Sequence, residues 1–211
     1  MPAPAYTQSE AAMHEIGHAI IACALGLNFL HVKIFLAVAP RQGWGGQCLL
    51  VDTSPSPRRV LYDAFQLGGP LLQILLEPAS LGGQHVLFQP SLFSNPARCM
   101  DENDGLTIAN EQLGWGSDLY ETGLMHQMYG WPEFWMRVKG FGGAKPWVED
   151  LEVHLRTFLS LQPVQELVAV LRPTLVQHKL LHSQPVLNAF NATVPLNSFA
   201  ALRTFAAAQP D

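Results

Sequence analysis

Residues 14–18 read His-Glu-Ile-Gly-His, and no other feature constrains the fold as tightly. Residues i and i+4 of a helix share one face, so both imidazoles reach a common point only if this stretch is helical. The flanking sequence supplies that helix. Thr7 is a good N-cap, and Glu10 three residues on completes a capping box. Helix formers continue to Leu25, and Gly26 offers a left-handed C-terminal cap. The helix is therefore expected over about 8–25. Ala11, Ala12, Ala19, Ile20 and Ile21 surround the motif, so the helix is expected to be largely buried. Two buried histidines and a buried glutamate are costly without a shared partner, and a metal ion is such a partner. Chance places HExxH in roughly one or two per cent of shuffled sequences of this composition, and more rarely inside a capped helix. The plain competing reading is a pair of packed histidines that bind nothing.

With His14 and His18 as ligands, Glu15 lies beside the open coordination position of a zinc ion. There it can take a proton from water whose pKa the metal lowers. A third protein ligand is needed. The extended HExxHxxGxxH form is excluded, because Ile21 and Ala24 stand at its glycine and histidine positions. The ligand must come from elsewhere: Asp101, Asp104, Asp118, Glu77, Glu102, Glu111, Glu121, His85 or His126. Asp118 stands out locally, since it follows Gly114-Trp115-Gly116-Ser117 and opens a helical stretch. An ordinary first-turn acid that complements the helix dipole looks the same.

Beyond the motif the chain divides into short elements. Residues 31–38, HVKIFLAV, and 47–51, QCLLV, read as strands about a turn at 40–46, PRQGWGG. A second helix is expected over about 58–67, interrupted by Gly68-Gly69-Pro70 and resumed over 71–76. Residues 78–116 are loop-like, 117–130 helical, and 131–147 hold three of the five tryptophans among glycines and prolines. About 148–207 is mainly helical, with Val148, Leu151, Leu155, Phe158 and Leu159 as a core-facing stripe. The fold class is thus mainly α with a small β-hairpin or sheet. The aromatic stretch Tyr129, Trp131, Phe134, Trp135, Phe141 and Trp147 packs locally or lines a cleft. His31, His85, His126, His154, His178 and His182 read as surface or capping residues.

Composition narrows the function classes. Apolar residues make up 48% and charged residues 14%, which sets disorder aside and promises a sizeable core. The net charge of −5, with no run of Lys or Arg, argues against nucleic acid as a partner. The most apolar stretch, 19–39, is interrupted by Asn28, His31 and Lys33, so no membrane span is expected. Residues 1–5 have no cationic start ahead of an apolar run and do not read as a signal peptide. Cys23, Cys48 and Cys99 are odd in number and widely spaced, which favours reduced thiols and a cytoplasmic setting.

Four segments together carry a resemblance: HEIGHAIIACALG, HVKIFLAVAPRQGWGGQ, FQLGGPLLQILL and GSDLYETGLM. In order and character they resemble the peptidase domain of the FtsH family of ATP-dependent zinc proteases. The likeness covers about residues 8–130 of a single 1–211 domain; the helical part over about 148–207 is compatible but has no distinctive motif. The resemblance implies a zincin-type helical domain with Zn2+ held by His14, His18 and Asp118, and Glu15 as the general base. Asp104 is the runner-up to Asp118. It also implies a peptide or unfolded protein as substrate; separately, the β segment at 31–51 offers an edge to which an extended peptide can be added. No GxxxxGK[ST] occurs, so a separate ATPase is the expected partner for any substrate that must be unfolded. Gln73 and Ile74 stand where the family usually has a glutamate pair, and Ile16 where it usually has alanine. Two readings from other classes compete: a non-catalytic metal-containing adaptor or binding protein, and a metal-independent helical scaffold.

Overall fold

The computed structural model describes residues 7–37, 43–51, 59–77 and 147–209. Its order is α1 (Gln8–Leu25), β1 (Phe29–Ala37), β2 (Gly43–Leu50), α2 (Arg59–Leu76), α3 (Val148–Leu159), α4 (Gln162–His178), β3 (Leu180–His182), α5 (Ser183–Thr193), a short 3-10 helix (Leu196–Phe199) and α6 (Ala200–Ala208). The described chain is mainly helical, with one three-stranded antiparallel sheet ordered β2-β1-β3.

Helix α1 is the centre. Every residue from Ala11 to Ala24 is buried, the pattern of a helix covered on all sides rather than one lying on a surface. Its ends are fixed as the sequence implies. Thr7 Oγ1 accepts the Glu10 N–H at 3.2 Å, and Glu10 Oε2 accepts the Thr7 N–H at 2.7 Å. Gly26 closes the helix at φ 73°, and the Leu27 N–H returns to the Ala22 carbonyl at 2.9 Å. Thr7→Ala removes the hydroxyl half of this box, leaving the backbone N–H of residue 7 to Glu10, and is expected to lower stability by about 1 kcal/mol, read as a shift in the urea midpoint at unchanged slope.

Helix α2 runs unbroken from Arg59 to Leu76 with Pro70 inside it, so Gly68-Gly69-Pro70 does not interrupt the chain. Proline removes only one helical hydrogen bond, the one Gln66 would accept. Tertiary packing outweighs that loss. A Cβ on Gly17 would lie 2.8 Å from the Gly68 carbonyl carbon and 2.8 Å from Gly69 Cα, and a Cβ on Gly68 would lie 2.7 Å from the Gly17 carbonyl oxygen. Helices α1 and α2 therefore cross backbone against backbone, and only glycine allows it.

Residues 43–46 belong to strand β2 rather than to a turn. The absence of a side chain at Gly46 is what its place in the strand requires. The Phe35 ring lies over Gly45 at 3.4 Å from where a Cβ would be, and Glu15 lies against Gly46. Strand β1 begins at Phe29 and ends at Ala37, with a register shift between Phe29 and His31.

The C-terminal part closes the core around α1. Leu151, Leu155, Phe158 and Leu159 of α3 are buried as the spacing implies, beside Val164, Leu167 and Leu171 of α4 and Phe190 of α5. Burying each such side chain contributes about 1.5–3 kcal/mol. Polar contacts add ties: Gln8 Nε2 donates to the Val176 carbonyl at 2.9 Å, and Arg203 Nε to the Ala24 carbonyl at 2.6 Å. Strand β3 was not expected from sequence; it lies between α4 and α5 and pairs with β1. The expectations for 78–116, 117–130 and 131–146 lie outside the described residues. Among the described residues, no helix is long and apolar enough to cross a membrane.

Candidate metal centre

The buried middle of α1 presents His14, Glu15 and His18, which are 7%, 6% and 4% exposed. The two imidazoles meet edge to face, with ring centroids 4.7 Å apart and planes at 77°. Their Nε2 atoms lie 3.0 Å from each other. Each Nδ1 is held by α2: His18 Nδ1 lies 2.7 Å from the Phe65 carbonyl oxygen, and His14 Nδ1 lies 2.7 Å from Gln73 Oε1.

These contacts set the tautomers. A carbonyl oxygen only accepts, so in the neutral ring His18 Nδ1 carries the hydrogen and Nε2 presents its lone pair. The Gln73 amide, with its oxygen assigned toward His14, does the same for the second ring. Two lone pairs thus face one point. Their separation is a few tenths of an ångström below the roughly 3.3 Å between two nitrogens on a tetrahedral zinc at 2.0–2.1 Å. Orientation of metal-binding histidines through the other ring nitrogen is the usual supporting arrangement. The donor set therefore fits a borderline divalent cation.

The surroundings are shaped by glycine. A Cβ on Gly69 would lie 2.5 Å from His18 Nε2 and 2.9 Å from His14 Nε2, so α2 forms a wall directly against the two ring nitrogens. A Cβ on Gly46 would lie 2.7 Å from Glu15 Cδ and 2.7 Å from Oε1, so β2 passes directly over the carboxylate. Cys48 shares that face of β2. Burial, then the Glu15 carboxylate, then Cys23 push its thiol well above the usual range. Burial pushes Cys23 up to about 12. Both thiols stay protonated near neutrality, and neither is an activated nucleophile.

Of the residues singled out from sequence, the structure brings His14, Glu15 and His18 together. Glu77 is not part of the group: at the end of α2 it forms an ion pair with Arg172 of α4. Among the described residues, no set of three or more His, Cys, Asp or Glu is placed to hold an ion. Asp118, Asp104, Asp101, Glu102, Glu111, Glu121, His85 and His126 lie outside the described residues. Sequence reasoning did not foresee the roles of the Phe65 carbonyl, Gly46 and Gly69. The LGG run of α2 held the only signal for the last of these. Comparisons of the chain with protein-family models, with curated proteins and with solved structures found no match.

Proposed function

We propose that the chain is a zinc-dependent peptidase of the FtsH-peptidase type, acting on peptides or unfolded protein. The observation that carries this is the convergence of the two Nε2 atoms at 3.0 Å, each ring oriented from behind by an acceptor on α2. In this reading His14, His18 and Asp118 hold the ion, with Asp104 as the alternative third ligand. When bound, zinc supplies an acidified water and polarises the scissile carbonyl. Glu15 takes the proton from the attacking water and passes it to the leaving amine. Its burial beneath β2 keeps bulk water from competing for that proton.

The sheet supports a peptide substrate. Ile34 of β1 donates its N–H to the Lys179 carbonyl at 2.9 Å, on the β3 side. Backbone groups of alternate residues point to opposite sides of a strand. His31, Lys33, Phe35 and Ala37 therefore turn theirs to β2, where they pair with Leu49, Gln47, Gly45 and Gly43. The N–H and C=O groups of Trp44, Gly46 and Cys48 then face the far edge of β2, which pairs with no other strand among the described residues. An extended peptide added there runs past Gly46, and so past Glu15.

The test is metal content by elemental mass spectrometry on wild type and His18→Ala, with peptide hydrolysis assayed in parallel. We expect about one zinc per chain in wild type, lost in the variant, and hydrolysis abolished by chelation and restored by zinc. Wild type that neither carries nor takes up a metal would overturn the reading and leave a metal-independent scaffold. Bound zinc without hydrolysis would leave the adaptor.

A further inference from the structure

Two histidines outside this centre are brought together by the sheet. His31 of β1 and His182 of β3 are register partners. The Ile34 N–H to Lys179 carbonyl bond fixes which pairs exchange hydrogen bonds. Counting back, Val32 with Leu181 is a hydrogen-bonded pair, and Lys33 with Leu180 and His31 with His182 are the pairs between. Non-hydrogen-bonded partners are the closest in an antiparallel sheet, with Cα atoms about 4.5 Å apart and side chains on one face. That distance lets two imidazoles reach one ion.

A second observation concerns His31 itself. Its Nε2 is buried and has no hydrogen-bond partner among the described residues. A buried ring nitrogen without a partner is an expensive feature, and a cation shared with the neighbouring imidazole accounts for it. His182 is exposed, so the site opens to solvent on one side.

We propose that His31 and His182 form a second metal site, on the outer face of the sheet, for a late first-row divalent cation such as nickel or copper. Two imidazoles with water in the remaining positions suit ions of this class better than magnesium or calcium, which prefer oxygen. The ion joins β3 to β1, and so ties the segment between α4 and α5 to the sheet that covers α1.

The experiment is titration calorimetry of the full chain with Ni2+ alone. It is run on zinc-loaded wild type and in the His18→Ala background, so that loss of the first centre leaves the second readable. Both should show one Ni2+ binding event. His182→Ala, which alters an exposed side chain, should abolish the event or weaken it about tenfold or more. His31→Gln, which keeps a polar group at the buried position, should do the same. His154→Ala, whose ring stacks on Phe205 at 4.5 Å, should leave it intact. With the first centre loaded with zinc in both proteins, Ni2+ should also raise the melting temperature of wild type but not of His182→Ala. Binding that is equal in wild type and His182→Ala, or absent from wild type, overturns the proposal.

Discussion

Glu15→Gln is expected to lower kcat for peptide hydrolysis by about 100- to 10,000-fold while leaving the zinc content at the wild-type level. The range is that of a positioned general base. The substitution keeps the shape that Gly46 accommodates, since the side chain lies against the strand at Cδ and Oε1. It removes only the ability to accept a proton. A purely structural metal site has no use for the carboxylate, so the adaptor reading expects no difference beyond stability. The measurement is kcat and KM with metal content determined on the same preparations. Equal rates in the two proteins would sink the role given to Glu15. Loss of zinc together with activity would show that the change disturbed the site itself.

Gly69→Ala is expected to remove metal binding although it replaces no ligand. Helix propensity alone favours alanine by about 1 kcal/mol, so a surface glycine in α2 would become more stable on this change. Here the methyl group would stand 2.5 Å and 2.9 Å from the two Nε2 atoms and 2.9 Å from the His14 carbonyl oxygen. Ordinary contacts need about 3.5 Å or more, so the rings or the helix crossing must shift. Overpacking of this kind costs about 1–3 kcal/mol, which outweighs the propensity gain. Two readouts separate the consequences: zinc per chain by elemental mass spectrometry, and stability by urea denaturation with excess chelator present. We expect zinc lost and the chelated protein destabilised relative to chelated wild type. A Gly69→Ala protein that binds zinc normally would mean that the wall of the site yields more readily than its geometry implies.

How far the sequence foretold this arrangement depends on whether each signal is local. Helix α1 was legible end to end, because Thr7, Glu10 and Gly26 act on neighbouring residues and the HExxH spacing has meaning only in a helix. The stripe of α3 was legible for the same reason. The continuity of α2 was not. Gly68-Gly69-Pro70 is a breaking signal on its own, and it is overruled by the contact with Gly17, which is remote in sequence. Gly46 of β2 misled in the same way, since its lack of a side chain makes room for Glu15 rather than for a turn. Strand β3 is three residues long and has no pattern of its own; the register with β1 creates it. That same register joins His31 to His182, which read as separate surface residues in the sequence. At the candidate metal centre the two histidines and the glutamate were readable, and the hydrogen-bond partners behind the rings were not. One of those partners is a main-chain atom, which no side-chain pattern announces.

The two histidines are therefore unequally protected against mutation. His14 is oriented by the side chain of Gln73, so a single codon change at position 73 can delete its support. His18 is oriented by the carbonyl of Phe65, an atom that every amino acid carries. Replacing Phe65 can disturb the packing of its ring, which lies 5.0 Å from the His18 ring centroid, but it cannot erase the acceptor while α2 keeps its course. Half of the orientation of the site is thus inherited from the path of a helix, and selection can act on it only by bending that path.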